Sequence, residues 1–222
     1  MYRWLPRFTT WGAVLRFGPI CGAGRVKRVI IQIDGGHLRA LARAGQQTYN
    51  PDFIEAFALS LLEADEEAIR FLYYDCAPYK GHQKRPVSGT IQDFAQSDGW
   101  LNDLAGRDLF AVRLGILKWR GWKPRKVLAK GTSPSDSDFK PDFEQKGVDL
   151  RIGLDIATYS LNRLVDRIII VTGDTDLIPA MKLARRCGVQ IVGIDLPNST
   201  HSAEMRAHID FRRRRPWPNA AP

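Results

Sequence analysis

Short apolar runs alternate with amphipathic stretches along this chain, and the two periods predict strands and helices in turn. Val29–Ile33 is apolar and stops at Asp34-Gly35-Gly36, which predicts a first strand, with a brief helix over His37–Ala44. Asn50 and Pro51 offer an N-cap and a proline at the first helical position. The helix they open has Phe53, Ile54, Phe57 and Leu61 on one face. Ile69–Tyr74 predicts a second strand and Pro78–Ser88 a polar loop. Thr90–Ala105 reads as a helix interrupted near Gly99, and Leu109–Leu114 as a third strand. The stretch from Trp119 to Lys146 carries three prolines and a Ser/Asp-rich centre at Ser133–Asp138. It is expected to be a long irregular insertion of the kind that is commonly functional or disordered. Val148–Leu161 resumes as a helix, Arg167–Val171 as a fourth strand and Leu177–Cys187 as the helix after it. Gly188 ends that helix, Val189–Ile194 is a fifth strand, and His201–His208 a last short helix.

Strands alternating with helices predict an α/β fold, a three-layer α/β/α sandwich around a parallel sheet of about five strands. The fourth strand says most about function. Ile168, Ile169, Ile170 and Val171 are all β-branched, which suits a strand covered on both faces. It ends in Thr172-Gly173-Asp174-Thr175-Asp176, so Asp174 and Asp176 fall at the strand's carboxyl end. With strand order 3-2-1-4-5, the first and fourth strands are neighbours and the switch point lies between their carboxyl ends. Asp34 would then join Asp174 and Asp176 from more than 130 positions away. Carboxylates so placed repel one another, and a divalent cation is the natural counter-charge.

Composition narrows the partner. The 222 residues suit one α/β domain, and a formal charge of +9 with a pI near 9.7 points to a polyanion. Nucleic acid comes first and an anionic membrane surface second. No run of about eighteen apolar residues predicts a transmembrane helix. Cys21, Cys76 and Cys187 are widely spaced without a CxxC, which argues for a reducing, cytoplasmic setting without disulfides or structural zinc. Cys76 and Cys187 are expected to be buried small apolar residues. Residues 1–25 are expected to be a mobile basic extension, with a signal or transit segment as the alternative. The folded domain is expected over 26–200, followed by a short helix and a basic tail over 201–222, where Arg212–Arg215 would be solvated.

One basic stretch is mixed with aromatics: Lys118, Trp119, Arg120, Trp122, Lys123, Arg125 and Lys126. Rings that stack on bases, set among cations that follow a backbone, suit single-stranded nucleic acid. The alternative is a hairpin whose tryptophans cap a core edge while the charges are solvated.

A further acid, Asp149, stands in Lys146-Gly147-Val148-Asp149 at the start of a predicted helix, where the macrodipole alone would favour it. Together, Asp34-Gly35-Gly36-His37, this Lys-Gly-Val-Asp turn with Asp155 six positions on, and Thr172-Gly173-Asp174-Thr175-Asp176 resemble the NYN domain. That domain belongs to the PIN-like nuclease superfamily, and the LabA-like branch is the nearest in pattern. The resemblance spans about Val26–Ile194. It implies a PIN-like fold whose acids, here Asp34, Asp149, Asp174 and Asp176, bind Mg²⁺ or Mn²⁺ and hydrolyse phosphodiester bonds, usually in RNA. His37 stands where many relatives have Asn; an imidazole also changes charge near neutral pH. His37, Asp75, Asp155 and Thr172 are the candidates for supporting or substrate contacts. No GxxxxGK[ST] loop and no Ser/His/Asp arrangement offers competing chemistry. The expected function is a metal-dependent ribonuclease with RNA as partner and no membrane; pairing of two protomers stays open. The alternatives are a non-catalytic nucleic-acid-binding or regulatory module that keeps the acidic pocket, and a phosphatase or nucleotide hydrolase using the same acids.

Overall fold

A computed structural model describes residues 25–127, 133–197 and 199–218. The expected extension over 1–25 therefore lies almost wholly outside the described residues, as does Cys21.

The centre of the sheet follows the apolar runs. Strands β1 (Lys27–Asp34), β2 (Glu66–Cys76) and β7 (Arg167–Val171) are parallel, with β1 in the middle. All five residues of β7 are buried, as an apolar run covered on both faces requires. Ile31 and Ile33 point to one side of β1 and Ile30 to the other, so a single strand feeds two cores. On the first side lie α1 (Gly35–Ala44), α2 (Pro51–Ser60) and α3 (Gly99–Ala105), which contribute Leu38, Phe57 and Leu104. On the second lie α4 (Val148–Leu161) and α5 (Ile178–Arg186), with Ile152, Ile156 and Met181. The three-layer α/β/α arrangement is thus present. Asn50 caps α2 by accepting the Phe53 amide at 2.8 Å, and Pro51 follows it.

Adding β5 (Phe110–Pro124) beside β2 and β8 (Gln190–Asp195) beside β7 completes the expected 3-2-1-4-5 order of parallel strands. Two further strands extend it to seven, in the order β6-β5-β2-β1-β7-β8-β9. One is β6 (Phe139–Lys146), antiparallel to the outer part of β5; the other is β9 (Phe211–Arg214), parallel to β8. No helix among the described residues is long and apolar enough to cross a membrane.

Four sequence expectations need correction, for related reasons. The insertion over 119–146 is mostly regular: β5 runs out to Pro124 and returns as β6. Its charged residues alternate with aromatics that are covered only from one side, so the apolar pattern is too thin to read as strand. The polar loop Pro78–Ser88 contains β3 (Lys80–Lys84), which pairs with β4 (Ile91–Ala95) in a separate two-stranded sheet. The predicted helix over Thr90–Ala105 is consequently two elements, β4 and α3. Ile91 and Phe94 are three apart, a helical spacing, but only Phe94 packs while Ile91 is 69% exposed. Finally, Arg212–Arg215 is not a free tail. It lies mostly in β9, following α6 (Ala203–Arg206), and Arg213 is drawn onto the buried carboxylate of Glu66 at 2.6 and 2.8 Å.

Candidate active site

Asp34 ends β1 and caps α1: its Oδ1 accepts the His37 amide at 3.0 Å. Across the register from this strand end lies the end of β7, since Ile33 pairs with Val171. Thr172 is buried there, and its hydroxyl bridges the two strand ends. It donates to Asp34 Oδ2 at 3.4 Å and accepts the Asp174 amide at 3.2 Å. Asp174 in turn accepts the Asp176 amide at 2.9 Å, capping a single 3₁₀ turn over Thr175–Leu177. Each cap uses one carboxylate oxygen; the second is engaged by Thr172 in Asp34 and has no hydrogen bond among the described residues in Asp174.

Asp149 enters from the first turn of α4. Gly147 precedes it with φ +77°, a left-handed turn that favours glycine, and Arg151 ties this turn by donating to the Gly147 carbonyl at 2.7 Å. The Asp149 carboxyl is raised above the usual carboxylate range, by partial burial first and then by the charges of Asp174, Asp34 and Asp176. All four acids thus feel one field. None of them forms an ion pair with a described Lys, Arg or His.

Their side chains do not converge on a single point: among the described residues, no group of three or more His, Cys, Asp or Glu is arranged to hold a metal ion. The donor set nevertheless fits Mg²⁺ or Mn²⁺, because these ions take hard oxygens and commonly only one or two carboxylates, with water and phosphate completing the shell. Four acidic side chains sharing one field without a protein cation supply those oxygens and the charge.

His37 sits beside this site. A Cβ built at Gly173 would lie 3.0 Å from His37 Cε1, so the glycine makes room for the ring. Burial lowers the imidazole's proton affinity, and His201 adds to that, while Asp34 opposes it. The other supporting candidates are committed elsewhere. Asp75 is buried at the end of β2, ion-paired with Arg39 and accepting the Tyr73 hydroxyl at 3.0 Å. Asp155 accepts the Tyr74 hydroxyl at 2.9 Å and meets Arg113 at 3.3 Å. Tyr74 also accepts the amide of buried Gln32 at 2.9 Å, so Asp155 steadies the floor of the sheet behind the site.

The tryptophans of the basic stretch form a core of their own. Pairing of β5 with β6 shifts by one residue between Trp119 and Gly121, a bulge at Arg120. This brings Trp119 and Trp122 to the same face, their centroids 5.4 Å apart. Trp119 packs on Phe143, Tyr79 and Phe94, fastening the β5–β6 ribbon to the β3–β4 hairpin. Trp122 Nε1 donates to the Lys84 carbonyl at 2.7 Å. The rings are thus partly covered by one another and by the hairpin. Lys118, Arg120, Lys123, Arg125 and Lys126 remain exposed. Arg120 is paired with Glu144 at 3.5 Å and Lys123 with Asp142.

Sequence reasoning passed over Asp195 and His201. Asp195 ends β8 as Asp34 ends β1, which was a legible signal, and both residues are buried. The His201 Nδ1 lies 2.9 Å from Asp195 Oδ1; burial works to raise the Asp195 carboxyl, but the side-chain and backbone hydrogen bonds from His201, together with nearby Arg212, hold it below the usual range. Gln145 was also missed. A Cβ at Gly36 would meet its Oε1 at 3.2 Å and Asp34 Oδ1 at 3.3 Å, so β6 delivers an amide next to the first acid.

Comparison with known proteins bears on part of the chain and on the fold. The NYN domain model matches residues 120–212, a span that includes Asp149, Asp174 and Asp176 and stops short of Asp34. A crystal structure of a protein of unknown function from Vibrio parahaemolyticus is similar at a TM-score of 0.50 and 17% identity. The match covers 87% of this chain and 95% of that one, a likeness of fold alone. No curated protein matches the sequence.

Proposed function

We propose that this chain, whose residues 120–212 match the NYN domain model, belongs to the PIN-like nuclease superfamily and is a metal-dependent ribonuclease. One observation carries the reading: the Thr172 hydroxyl ties the Asp34 carboxylate to the Asp174 turn, joining the carboxyl ends of β1 and β7 at the switch point of the sheet. Asp149 and Asp176 complete the acidic field.

Mg²⁺ or Mn²⁺ held there would polarise a phosphoryl oxygen and lower the pKa of a bound water. Asp34 and Asp174 are the ligands of choice: hydrogen bonds orient both carboxylates, Asp174 keeps Oδ2 free, and Asp34 Oδ2 meets only the long contact from Thr172. Asp149, with its raised proton affinity, is suited to accept a proton from the attacking water. His37, whose ring lies against Gly173, would offer the substrate a polar contact. The exposed Lys118 and Lys126, with the other cations of the ribbon, would draw the polyanion in, with affinity that falls steeply as salt rises.

The test is cleavage of single-stranded and structured RNA with Mg²⁺ or Mn²⁺, wild type beside Asp174→Asn. Loss of cleavage in the variant is expected; equal turnover in both would remove the site. A second reading, a nucleic-acid-binding module without turnover, is favoured by the spread of the carboxylates away from one common point. RNA binding with a metal-dependent rise in melting temperature, but no cleavage of RNA or DNA, would select it.

A further inference from the structure

A cleft of about 520 Å³ opens on the α1 side of the sheet, between the start of α2, the start of α3 and the β5–β6 ribbon. Its size is that of a small-molecule site, which typically runs from about 300 to 1,000 Å³. The walls have a specific composition. The Arg39 guanidinium lies over two rings, 5.6 Å from the Tyr49 centroid and 5.7 Å from that of Trp100. Buried Asp75 pairs with it and fixes it in place. Arg43 lines the cleft one helical turn further on, on the same face of α1, and is exposed with no ion-pair partner among the described residues. Arg39 has its charge balanced by Asp75, so Arg43 is the cation left for an incoming anion.

Gln145 also lines this cleft. The contacts around Gly36 set the same amide next to Asp34, so the cleft begins where the acidic site ends. Asp75 and Asp34 themselves stand at the carboxyl ends of adjacent strands, with Asp34 paired to Tyr74.

We propose that this cleft is a nucleotide subsite. It takes one unstacked nucleotide of single-stranded RNA next to the bond being cut, with the phosphate on Arg43 and the base against Trp100. The assignment rests on the ribonuclease reading for the identity of the polymer, while the cleft itself is a separate feature. Arginine suits a phosphate because its fork donates in a plane, and an aromatic wall accepts any base. The Gln145 amide offers a donor and an acceptor to the base edge or the ribose. A base reaches such a recess only when it leaves its stack, so paired RNA is excluded. The subsite would therefore select single strands.

The experiment measures binding separately from turnover. Affinity of a short single-stranded RNA for the full chain carrying Asp174→Asn is followed by fluorescence anisotropy, against a duplex of the same length. Adding Arg43→Gln should weaken single-strand binding roughly tenfold and lower the salt slope by about one. Gln145→Ala should weaken it several-fold. Arg186→Gln, which removes the same charge from an exposed position on α5, is the control and should change little. Duplex binding should be weaker and indifferent to Arg43→Gln.

A loss with Arg43→Gln no larger than with Arg186→Gln overturns the subsite, as does a duplex bound as tightly as the single strand. The two readings fail separately. Cleavage by wild type with binding indifferent to Arg43 removes the subsite and leaves the ribonuclease. Binding that depends on Arg43, in a protein that cleaves nothing, keeps the subsite and removes the ribonuclease.

Discussion

Arg213 closes on Glu66 from 147 positions further along the chain, its two terminal nitrogens 2.6 and 2.8 Å from the carboxylate oxygens. Arg167 reaches the same carboxylate at 2.8 Å, and the Glu66 side chain is wholly enclosed. Two guanidinium groups thus converge on one buried acid, and the pair they make holds β9 onto the sheet and onto the loop before β2. Removing the acid would strand both cations in a poorly solvated place, which is the costly way to break such an arrangement. Glu66→Gln is expected to lower stability by about 3–5 kcal/mol. Urea unfolding would measure it, and a change under about 1 kcal/mol would show that the contact is solvated and weak.

The same carboxylate sets a pH dependence. Burial works to raise the Glu66 pKa, but the hydrogen bonds from Arg213 and Arg167 outweigh it and hold the group below its ordinary 4.5. The folded state therefore binds fewer protons than the unfolded state as the pH passes through that range. Its contribution to stability is complete above about pH 4.5 and is lost as the pH falls towards the folded value. Melting curves between pH 7 and 3 should show an acid-side decline that is shallower in Glu66→Gln.

Metal binding offers a third test at the acidic site. A ligand that binds only the folded state at a hundred times its Kd contributes about 2.7 kcal/mol. Saturating Mg²⁺ or Mn²⁺ should accordingly raise the melting temperature by about 5–10 °C. Asp34→Asn and Asp174→Asn should lose most of that rise. Asp149→Asn should make the metal-free protein melt slightly higher, since it removes one of four charges that oppose each other. A melting temperature unaffected by either ion in wild type would argue against the site.

The ribbon separates stability from binding. Trp119 touches four aromatic neighbours, and Trp119→Ala should cost about 2 kcal/mol by opening the contact between the ribbon and the β3–β4 hairpin. Lys118→Gln and Lys126→Gln should leave the melting temperature unchanged while reducing RNA affinity and its salt dependence. If Trp119→Ala instead leaves stability intact and abolishes RNA binding, its ring is a base platform.

Much of this protein is decided by the sequence locally. The apolar run Ile168–Val171, the cap and proline at Asn50 and Pro51, and the carboxylates that follow β1 and β7 each depend on neighbours within a few positions. Strand pattern, helix signals and turn chemistry are all short-range, so the five parallel strands and the Asp34, Asp174 and Asp176 positions could be read directly. The extra strands could not. β6 and β9 carry few apolar residues, and each is held by a partner far away: an aromatic cluster shared by four segments in one case, and Glu66 in the other.

The site divides in the same way. Which acids stand at strand ends follows from the chain itself. That Thr172 links Asp34 to Asp174, that Asp155 is spent on Tyr74 and Arg113, and that Arg39 is fixed between two rings beside Asp75 were decided by the fold. A side chain's partner depends on which elements meet, and elements meet through the burial of both faces of the sheet, a property of the whole chain.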